Sequence, residues 1–261
     1  MRIWPQNLTL RTRKESLRDQ RKAFKNILKI SKDTTFCRDH GLSDNTTYEE
    51  YQAKIPPRTY EEFLPYLNMI FEGKSDVFFK GRPDYLGTSS GSTGGKKYIP
   101  LTKKQSSNIV KMVSKMFFSF LIKEKTFAPF LGHLFYLSNT TKLSESFGIP
   151  SGYLSGISHH HVPKYLRSRR LPTMGTNAIT NYKDRLDLMW EEIKEAPISY
   201  LGGTPPWLID FLRTCETKEG KPAKELFPRL RCIGTGGTSL APYKHDFEKF
   251  FNDRKMIFFE S

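Results

Sequence analysis

The chain is 261 residues long, 37% hydrophobic and 13% aromatic, which excludes an intrinsically disordered protein and is enough for one large or two modest folded domains. Its formal net charge of +15 leaves nucleic acid, an anionic membrane surface and acidic ligands open as partners. No stretch approaches the ~18 apolar residues of a membrane span, and the first residues lack the apolar segment of a signal peptide. The three cysteines have no metal-ligand or redox spacing. We therefore expect a cytoplasmic protein with no membrane partner.

The first part of the chain combines helical and strand-like patterns. Apolar residues at helical spacing predict helices over residues 12–31 and 60–71. The segment VFFKG (77–81) is rich in β-forming residues and predicts a strand. A loop rich in glycine and hydroxyl groups follows, and KYIPLT (97–102) predicts the strand after it.

A long helix is predicted to begin after Thr102. Thr102 is a typical N-cap residue, and Gln105 stands where a capping box requires Glu or Gln. The apolar residues of this helix recur every three or four positions, which we interpret as a face packed into the core. That face comprises Ile109, Met112, Val113, Met116, Phe117, Phe120 and Leu121.

The rest of the chain alternates between strands and helices. The predicted elements are a strand at 133–139, a loop at 151–172, a helix at 181–195, a strand, turn and helix at 197–213, a strand and glycine turn at 230–237, a helix at 242–251 and a strand at 256–260. Such alternation predicts an α/β fold with a substantial parallel sheet.

The loop TSSGSTGGKK (88–97) has the composition of an anion-binding segment. It contains five hydroxyl groups, three glycines and two lysines. Glycines let backbone N–H groups approach a ligand, hydroxyl groups donate to oxygen, and lysines offset negative charge, so the set suits a polyphosphate. It is not a Walker loop, because Ser90 stands at the first glycine position and Lys97 at the hydroxyl position. A flexible Gly/Ser linker is the alternative.

Residues 89–97 resemble the phosphate-gripping signature [ST]-S-G-[ST]-T-G-x-P-K of adenylate-forming enzymes. Lys97 falls on the signature lysine, whereas Lys96 replaces the proline. This variant is similar to the acyl-acid amido synthetases, the auxin-responsive Gretchen Hagen family of plants and its bacterial-type members. They carry S-S-G-T-T-G-G followed by a lysine and an Ile-Pro pair, as at Ile99-Pro100 here.

Four other segments also resemble this family, so the likeness covers nearly the whole chain. They are DTTFCRDHGL (33–42), YEEFLPYL (60–67), LGGTPPWLIDFL (201–212) and FPRLRCIGTGGTSLAPY (227–243). The resemblance implies the N-terminal large domain of an adenylate-forming enzyme, with mixed or parallel sheets flanked by helices. Residues 1–261 would form an incomplete adenylation domain without the small C-terminal domain. The family's Tyr-x-x-Ser-Glu motif is missing, because the chain stops at Phe259-Glu260-Ser261, and we expect a fragment whose exposed face favours self-association.

The resemblance implies ATP-dependent adenylation of a carboxylic acid, with ATP and Mg²⁺ as cofactors, and transfer of the acyl group to an amine such as an amino acid. Lys97 and Thr93 would be the catalytic residues. The phosphates would be bound by Ser89, Ser90, Gly91, Ser92, Thr93, Gly94, Gly95 and Lys97, the adenine by Gly236, Gly237 and Thr238, and the acid by Gly203, Thr204 and Trp207. Trp207 is predicted equally well to be a core residue. No metal-ligating side chain is assigned.

Two other functions remain as alternatives. A ligase of the same superfamily could transfer the acyl group to coenzyme A as a thioester. The charge also allows a basic nucleic-acid-binding protein without catalytic activity, although no recognition motif is present. His159, His160 and His161 are predicted to be structural or to contact substrate, since adjacent residues rarely all reach one metal ion.

Overall fold

The computed structural model describes residues 13–89, 95–252 and 254–260, apart from the side chains of residues 13, 14 and 165. The chain forms two compact units. One comprises residues 1–84 and 147–149, and the other comprises residues 85–146 and 150–261. No helix in the described part of the chain is both long enough and apolar enough to span a bilayer.

The first unit is helical. It contains α1 (Arg13–Ser31), α2 (Thr35–Asp39), α3 (Tyr48–Lys54) and α4 (Tyr60–Phe71), so the two predicted helices are confirmed. Thr47 and Thr59 begin α3 and α4 with capping boxes. Its small core is formed by Leu28, Cys37 and Leu42.

The predicted strand at 77–81 is wrong, because this segment closes on itself as a turn. The backbone N–H of Gly81 donates to the Asp76 carboxylate at 2.8 Å, and the N–H of Asp76 donates to the Gly81 carbonyl at 3.1 Å. The Val77 carbonyl accepts from the N–H of Phe36 at 3.0 Å. These bonds occupy backbone groups that a neighbouring strand would need.

The second unit carries the strands. Its first half contains β1 (Tyr85–Thr88), β2 (Tyr98–Leu101), α5 (Lys103–Lys123), a 3₁₀ turn (Ala128–Phe130), β3 (His133–Tyr136), β4 (Ser144–Ser146), β5 (Ile149–Tyr153), α6 (Leu154–His160), α7 (Lys164–Arg167) and β6 (Arg170–Leu171). Its second half contains α8 (Met174–Asn177), α9 (Tyr182–Ile193), β7 (Ile198–Gly203), α10 (Pro205–Glu219), α11 (Ala223–Leu226), β8 (Cys232–Thr235), a 3₁₀ turn (Ala241–Tyr243), α12 (Lys244–Phe250) and β9 (Ile257–Glu260).

The strands form two sheets. In the four-stranded sheet, of order β2-β1-β5-β4, β1 is antiparallel to β2 and parallel to β5. The five-stranded sheet has the order β6-β3-β7-β8-β9, and all its pairs are parallel. Mixed and parallel sheets with helical connections confirm the predicted α/β fold.

One face of the five-stranded sheet carries the main core. Phe135, Leu201 and Ile233 project from three adjacent strands and are fully buried. Helices α9, α10 and α12 cover them with Met189, Trp190, Ile193, Leu208, Leu212 and Phe247. Each such side chain stabilises the fold by about 1.5–3 kcal/mol relative to an exposed one. The predicted helix at 181–195 and its buried face are therefore confirmed.

Helix α5 contacts the opposite face of this sheet, but its apolar stripe is not a core face as predicted. The capping box of Thr102 and Gln105 is confirmed. Leu121 is fully buried, whereas Ile109, Met112, Val113 and Met116 are 39%, 56%, 42% and 41% exposed. Helical periodicity shows which residues share a face, but it does not show whether protein covers that face.

The segment 151–172 is also more regular than the predicted loop. It contains the end of β5, then α6, α7 and β6. Its glycines mark close packing instead of turns: a Cβ added at Gly152 would lie 2.9 Å from Leu143, and one added at Gly156 would overlap the Thr140 carbonyl oxygen. Composition could not separate these two uses of glycine.

Candidate active site

The base of the glycine–hydroxyl loop is a β-hairpin. Thr88 at the end of β1 is paired with Tyr98 at the start of β2, and the N–H of Ser89 donates to the Lys97 carbonyl at 3.2 Å. Gly95 has φ of +81°, which only glycine adopts readily. The other predicted phosphate-binding residues, Ser90, Gly91, Ser92, Thr93 and Gly94, lie outside the described residues.

The loop base lies beside the start of α6. Thr88 is paired in parallel with Tyr153, and α6 begins at the next residue, Leu154. A Cβ added at Gly87 would lie 2.5 Å from the Leu154 side chain, so β1 and α6 are in close contact here. The loop and α6 therefore begin at the carboxyl ends of two adjacent parallel strands, β1 and β5.

A cavity of about 290 Å³ lies between α5 and the five-stranded sheet. Phe117 of α5 contacts Tyr200 edge-on, with ring centroids 5.2 Å apart, and Phe259 at 5.5 Å. The cavity is lined by Ile109, Val110, Val113, Ser114, Phe117, Leu134, Tyr136, Ser155, Ser158, Val162, Leu166, Arg170, Tyr200 and Phe259. The apolar stripe of α5 thus contributes to a ligand-sized space, and none of the described residues that line it is acidic.

Two glycines shape the sheet side of this cavity. A Cβ added at Gly234 would lie 2.6 Å from Cζ of Tyr200, and one added at Gly202 would lie 2.7 Å from Cε1 of the same ring. A Cβ at Gly202 would also overlap the ring of Tyr136. The two tyrosine rings therefore lie across glycine positions of the sheet. Gly234 was not a predicted site residue; its only signal is its alternation with the core residues Ile233 and Thr235 on the other face of β8.

Arg170 lies at one end of the cavity. It opens the edge strand β6 opposite Leu134, and its guanidinium carbon is 4.9 Å from the centre of the Tyr136 ring. Its Nη2 donates to Nε2 of His159 at 2.7 Å. Its Nε is buried and has no hydrogen-bond partner among the described residues. Arg170 was not a predicted site residue, because the run RSRR (167–170) has the pattern of a solvated basic face.

His159 is held neutral beside this guanidinium. Burial, and secondarily the positive charge of Arg170, lower the pKa of His159 to about 2. Burial also lowers the pKa of Arg170 to about 10, which leaves the guanidinium charged at neutral pH. The hydroxyl of Ser138 lies 3.1 Å from Nε2 of His159. His159, as a neutral hydrogen-bond acceptor, therefore positions the guanidinium of Arg170.

The other two histidines have different partners. Nε2 of His160 donates to the Thr141 carbonyl at 3.0 Å, and Nδ1 of His161 lies 3.3 Å from the hydroxyl of Ser107. The three adjacent side chains therefore do not converge. Across the residues that the structure describes, no group of three His, Cys, Asp or Glu side chains could hold a metal ion.

The predicted adenine and acyl residues meet at the carboxyl ends of β7 and β8. The N–H of Gly236 donates to the Gly203 carbonyl at 3.4 Å. Gly237 has φ of +85°, and a Cβ added there would lie 3.4 Å from the hydroxyl oxygen of Thr204. Thr238 follows as an exposed residue. Carboxyl ends of parallel strands are where α/β proteins bind ligands.

None of the three predicted acyl residues, Gly203, Thr204 and Trp207, is among the residues that line the cavity. Trp207 packs against the main core cluster, on the other face of the five-stranded sheet, with its ring 6.4 Å from that of Tyr182. Its contact with an acid stays a prediction.

Residues 11–188 match a protein-family model described as the GH3 family N-terminal domain. The chain is 33% identical over 89 residues to jasmonoyl–L-amino acid synthetase GH3.5 of Oryza sativa subsp. japonica, which covers 33% of this chain and 15% of that protein. It is 33% identical over 88 residues to indole-3-acetic acid-amido synthetase GH3.6 of Arabidopsis thaliana, covering 33% of this chain and 14% of that protein.

Solved structures share the fold at low sequence identity. GH3.15 acyl acid amido synthetase matches with a TM-score of 0.69 at 18% identity, covering 92% of this chain and 52% of that chain. A 2-hydroxyisobutyryl-CoA ligase, solved with 2-HIB-AMP and CoA, matches with a TM-score of 0.56 at 11% identity. The match covers 95% of this chain and 53% of that chain. The chain therefore spans about half the length of these solved structures, and the predicted fold is confirmed.

Proposed function

Because the chain belongs to the GH3 family, we propose that it serves the ATP-dependent adenylation of a carboxylic acid and the transfer of the acyl group to an amino acid. One observation carries this proposal. The base of the phosphate-type loop lies beside the N-terminal end of α6, and Ser155 and Ser158 of the same helix line the apolar cavity. A polyphosphate site and a site for an apolar acid would thus share one short helix.

The proposed reaction requires that the negative charges of its reactants be offset. Attack of a carboxylate on the α-phosphate of ATP brings two anions together, and pyrophosphate leaves with further negative charge. Lys97, Thr93 and the backbone N–H groups of residues 89–95 would stabilise the phosphates, with Lys97 and Thr93 as the catalytic residues. Gly236, Gly237 and Thr238 would contact the adenine. No covalent bond to the protein is needed, since the acyl-adenylate is itself the activated intermediate.

Mg²⁺ would enter with the nucleotide. The described residues offer no cluster of three metal ligands, and Oε1 of Glu260, at the carboxyl edge of the sheet, accepts from the N–H of Leu240 at 3.2 Å. Mg²⁺ is commonly bound through one or two carboxylates together with substrate phosphates and water. No protein ligand is assigned to it. When bound, it would supply further neutralisation of the phosphate charge.

The cavity would bind the body of the acid. Its aromatic and aliphatic lining suits a small apolar acid. Gly203 and Thr204, at the carboxyl end of β7, would contact the acid, and the role of Trp207 stays a prediction.

The acceptor is proposed to be an amine instead of a thiol, because the curated relatives are amido synthetases. Transfer to coenzyme A is the alternative within the superfamily.

A nucleic-acid-binding function is not favoured, since the family match accounts for the glycine–hydroxyl loop. We also propose a cytoplasmic location, supported by the free and buried Cys37, Cys215 and Cys232. Self-association through an exposed face of the domain is a further proposal, supported by the exposed Met112 and Met116 and tested by sedimentation.

The proposed function is tested by carboxylate-dependent exchange of radioactive pyrophosphate into ATP over a broad panel of acids. Exchange is expected with small apolar acids and is expected to fall at least about a hundredfold in Lys97→Ala, because a charge-stabilising group is lost. Lys96→Ala is the matched control, since exposed Lys96 contacts the Tyr98 ring at 5.2 Å. No exchange with any acid would reject the enzyme function.

A further inference from the structure

We propose that Arg170 donates hydrogen bonds to an oxygen atom of the substrate acid, above all to a second carboxylate. This group lies at the end of the acid that is remote from the reacting carboxylate. The preferred substrates are then acids with an apolar middle and a second carboxylate or carbonyl oxygen. This inference rests on the proposed function, because it assigns the specificity of the same site.

The first step is the missing anion. Buried charges in proteins are normally paired, since an unpaired ion loses its hydration without compensation. Arg170 is partly buried, and its Nε is fully buried without a partner among the described residues. Its guanidinium contacts a neutral imidazole and the face of Tyr136, and none of the described residues that line the cavity is acidic. The site therefore offers a charged donor and lacks the acceptor.

The second step is the end of α6 that Arg170, from β6, contacts. The phosphate-type loop lies at the N-terminal end of this helix, where Thr88 is paired with Tyr153. Arg170 lies at the other end, bonded to His159. Leu154 and His159 are five positions apart, about 7.5 Å along a helix. The reacting carboxylate belongs at the phosphate end, so Arg170 would meet the far end of the acid.

The third step is what lies between these ends. Tyr136, Tyr200 and Phe117 bound the cavity with aromatic surface, and Ser155 and Ser158 contribute two hydroxyl groups. This lining suits a ring or a short aliphatic chain. A guanidinium binds a planar carboxylate with two parallel hydrogen bonds, which gives direction as well as affinity.

The experiment compares acids that differ only at the far end: 4-carboxybenzoate with 4-methylbenzoate, and adipate with hexanoate. Binding is measured by calorimetry without ATP, and pyrophosphate exchange is measured separately. The unaltered chain is expected to bind the oxygen-bearing acid of each pair at least about tenfold more tightly. Equal binding within each pair, or no binding of either acid, overturns the inference.

Arg170→Met should abolish or reverse this preference, and Arg170→Lys should keep part of it. Lys183→Met, at an exposed position on α9, removes one positive charge elsewhere and should leave the preference unchanged. If Arg170→Met weakens both acids of a pair equally, Arg170 binds the reacting carboxylate and the inference fails. If binding shows the preference but no acid supports exchange, the proposed function fails and the assignment of Arg170 stands.

Discussion

The ring of Tyr200 occupies the space that a side chain at position 234 would need. A Cβ added at Gly234 would lie 2.6 Å from Cζ of this ring and would overlap its hydroxyl oxygen. The shape of the cavity therefore depends on a glycine in the neighbouring strand.

Gly234→Ala should displace Tyr200 into the cavity. We expect a loss of about 1–3 kcal/mol in the free energy of unfolding, typical of overpacking, together with weaker binding of every acid. Urea unfolding and calorimetry measure the two effects. Gly175→Ala is the matched control, because a Cβ there would meet nothing closer than 3.9 Å. Unchanged acid binding in Gly234→Ala would contradict the shape that we describe.

His159 should make the protein acid-sensitive. Burial and Arg170 lower the pKa of His159 to about 2, against about 6.5 in an unfolded chain. The stability that depends on neutral His159 is fully present above pH 6.5. It should fall as the pH drops below that value towards 2, by up to about 1.4 kcal/mol per pH unit, because protons then bind the unfolded chain preferentially.

The pH effect is measured by urea unfolding at pH 7, 6 and 5. His159→Gln keeps an acceptor for Arg170 and should show a shallower fall in the free energy of unfolding. His245→Gln, at an exposed position, should behave like the unaltered chain. Equal slopes in all three proteins would mean that His159 is not buried as a neutral group.

The N-cap of α5 should stabilise the helix that borders the cavity. The hydroxyl of Thr102 accepts from the N–H of Gln105 at 3.2 Å, and the Gln105 side chain accepts from the N–H of Thr102 at 2.8 Å. Thr102→Ala should lower the free energy of unfolding by about 1 kcal/mol, while Thr102→Ser should lower it by much less. Urea unfolding measures the free energy of unfolding of both variants. Similar decreases in the two variants would argue against a capping role for the hydroxyl.

Cys215 and Cys232 should resist thiol reagents in the folded protein. Burial raises the pKa of both thiols to about 12, so almost no thiolate is present at pH 8. Treatment with a chromogenic disulfide reagent should label neither residue until urea is added, as read by mass spectrometry of peptides. Rapid labelling of either cysteine in buffer would show that the core around β8 and α10 opens readily.

Local chemistry was sufficient for several elements. The apolar spacing of residues 60–71 predicted α4 with its observed bounds, and the pair Thr102 and Gln105 marked the start of α5. The strand, turn and helix predicted at 197–213 correspond to β7 and the first part of α10, which continues to Glu219. Each signal lies within a few residues of the structure that it specifies, so no distant contact is needed to interpret it.

The errors arose where a distant partner decides the outcome. Residues 77–81 have strand-forming side chains, but the Val77 carbonyl accepts from the N–H of Phe36, 41 positions away, and the adjacent Asp76 carboxylate closes the segment as a turn. The stripe on α5 has the periodicity of a core face, yet much of it borders a cavity or lies exposed.

The sequence by itself determined the family motifs, the α/β alternation and the residues of the phosphate-type loop. The tertiary structure alone decided that Arg170, from a segment that resembles a solvated basic cluster, lies in an apolar cavity between His159 and Tyr136. The physical reason is that a charged residue's environment depends on which elements pack around it. Here β6 joins the edge of the five-stranded sheet beside β3, which brings Arg170 next to residues that are 11 and 34 positions away in the chain.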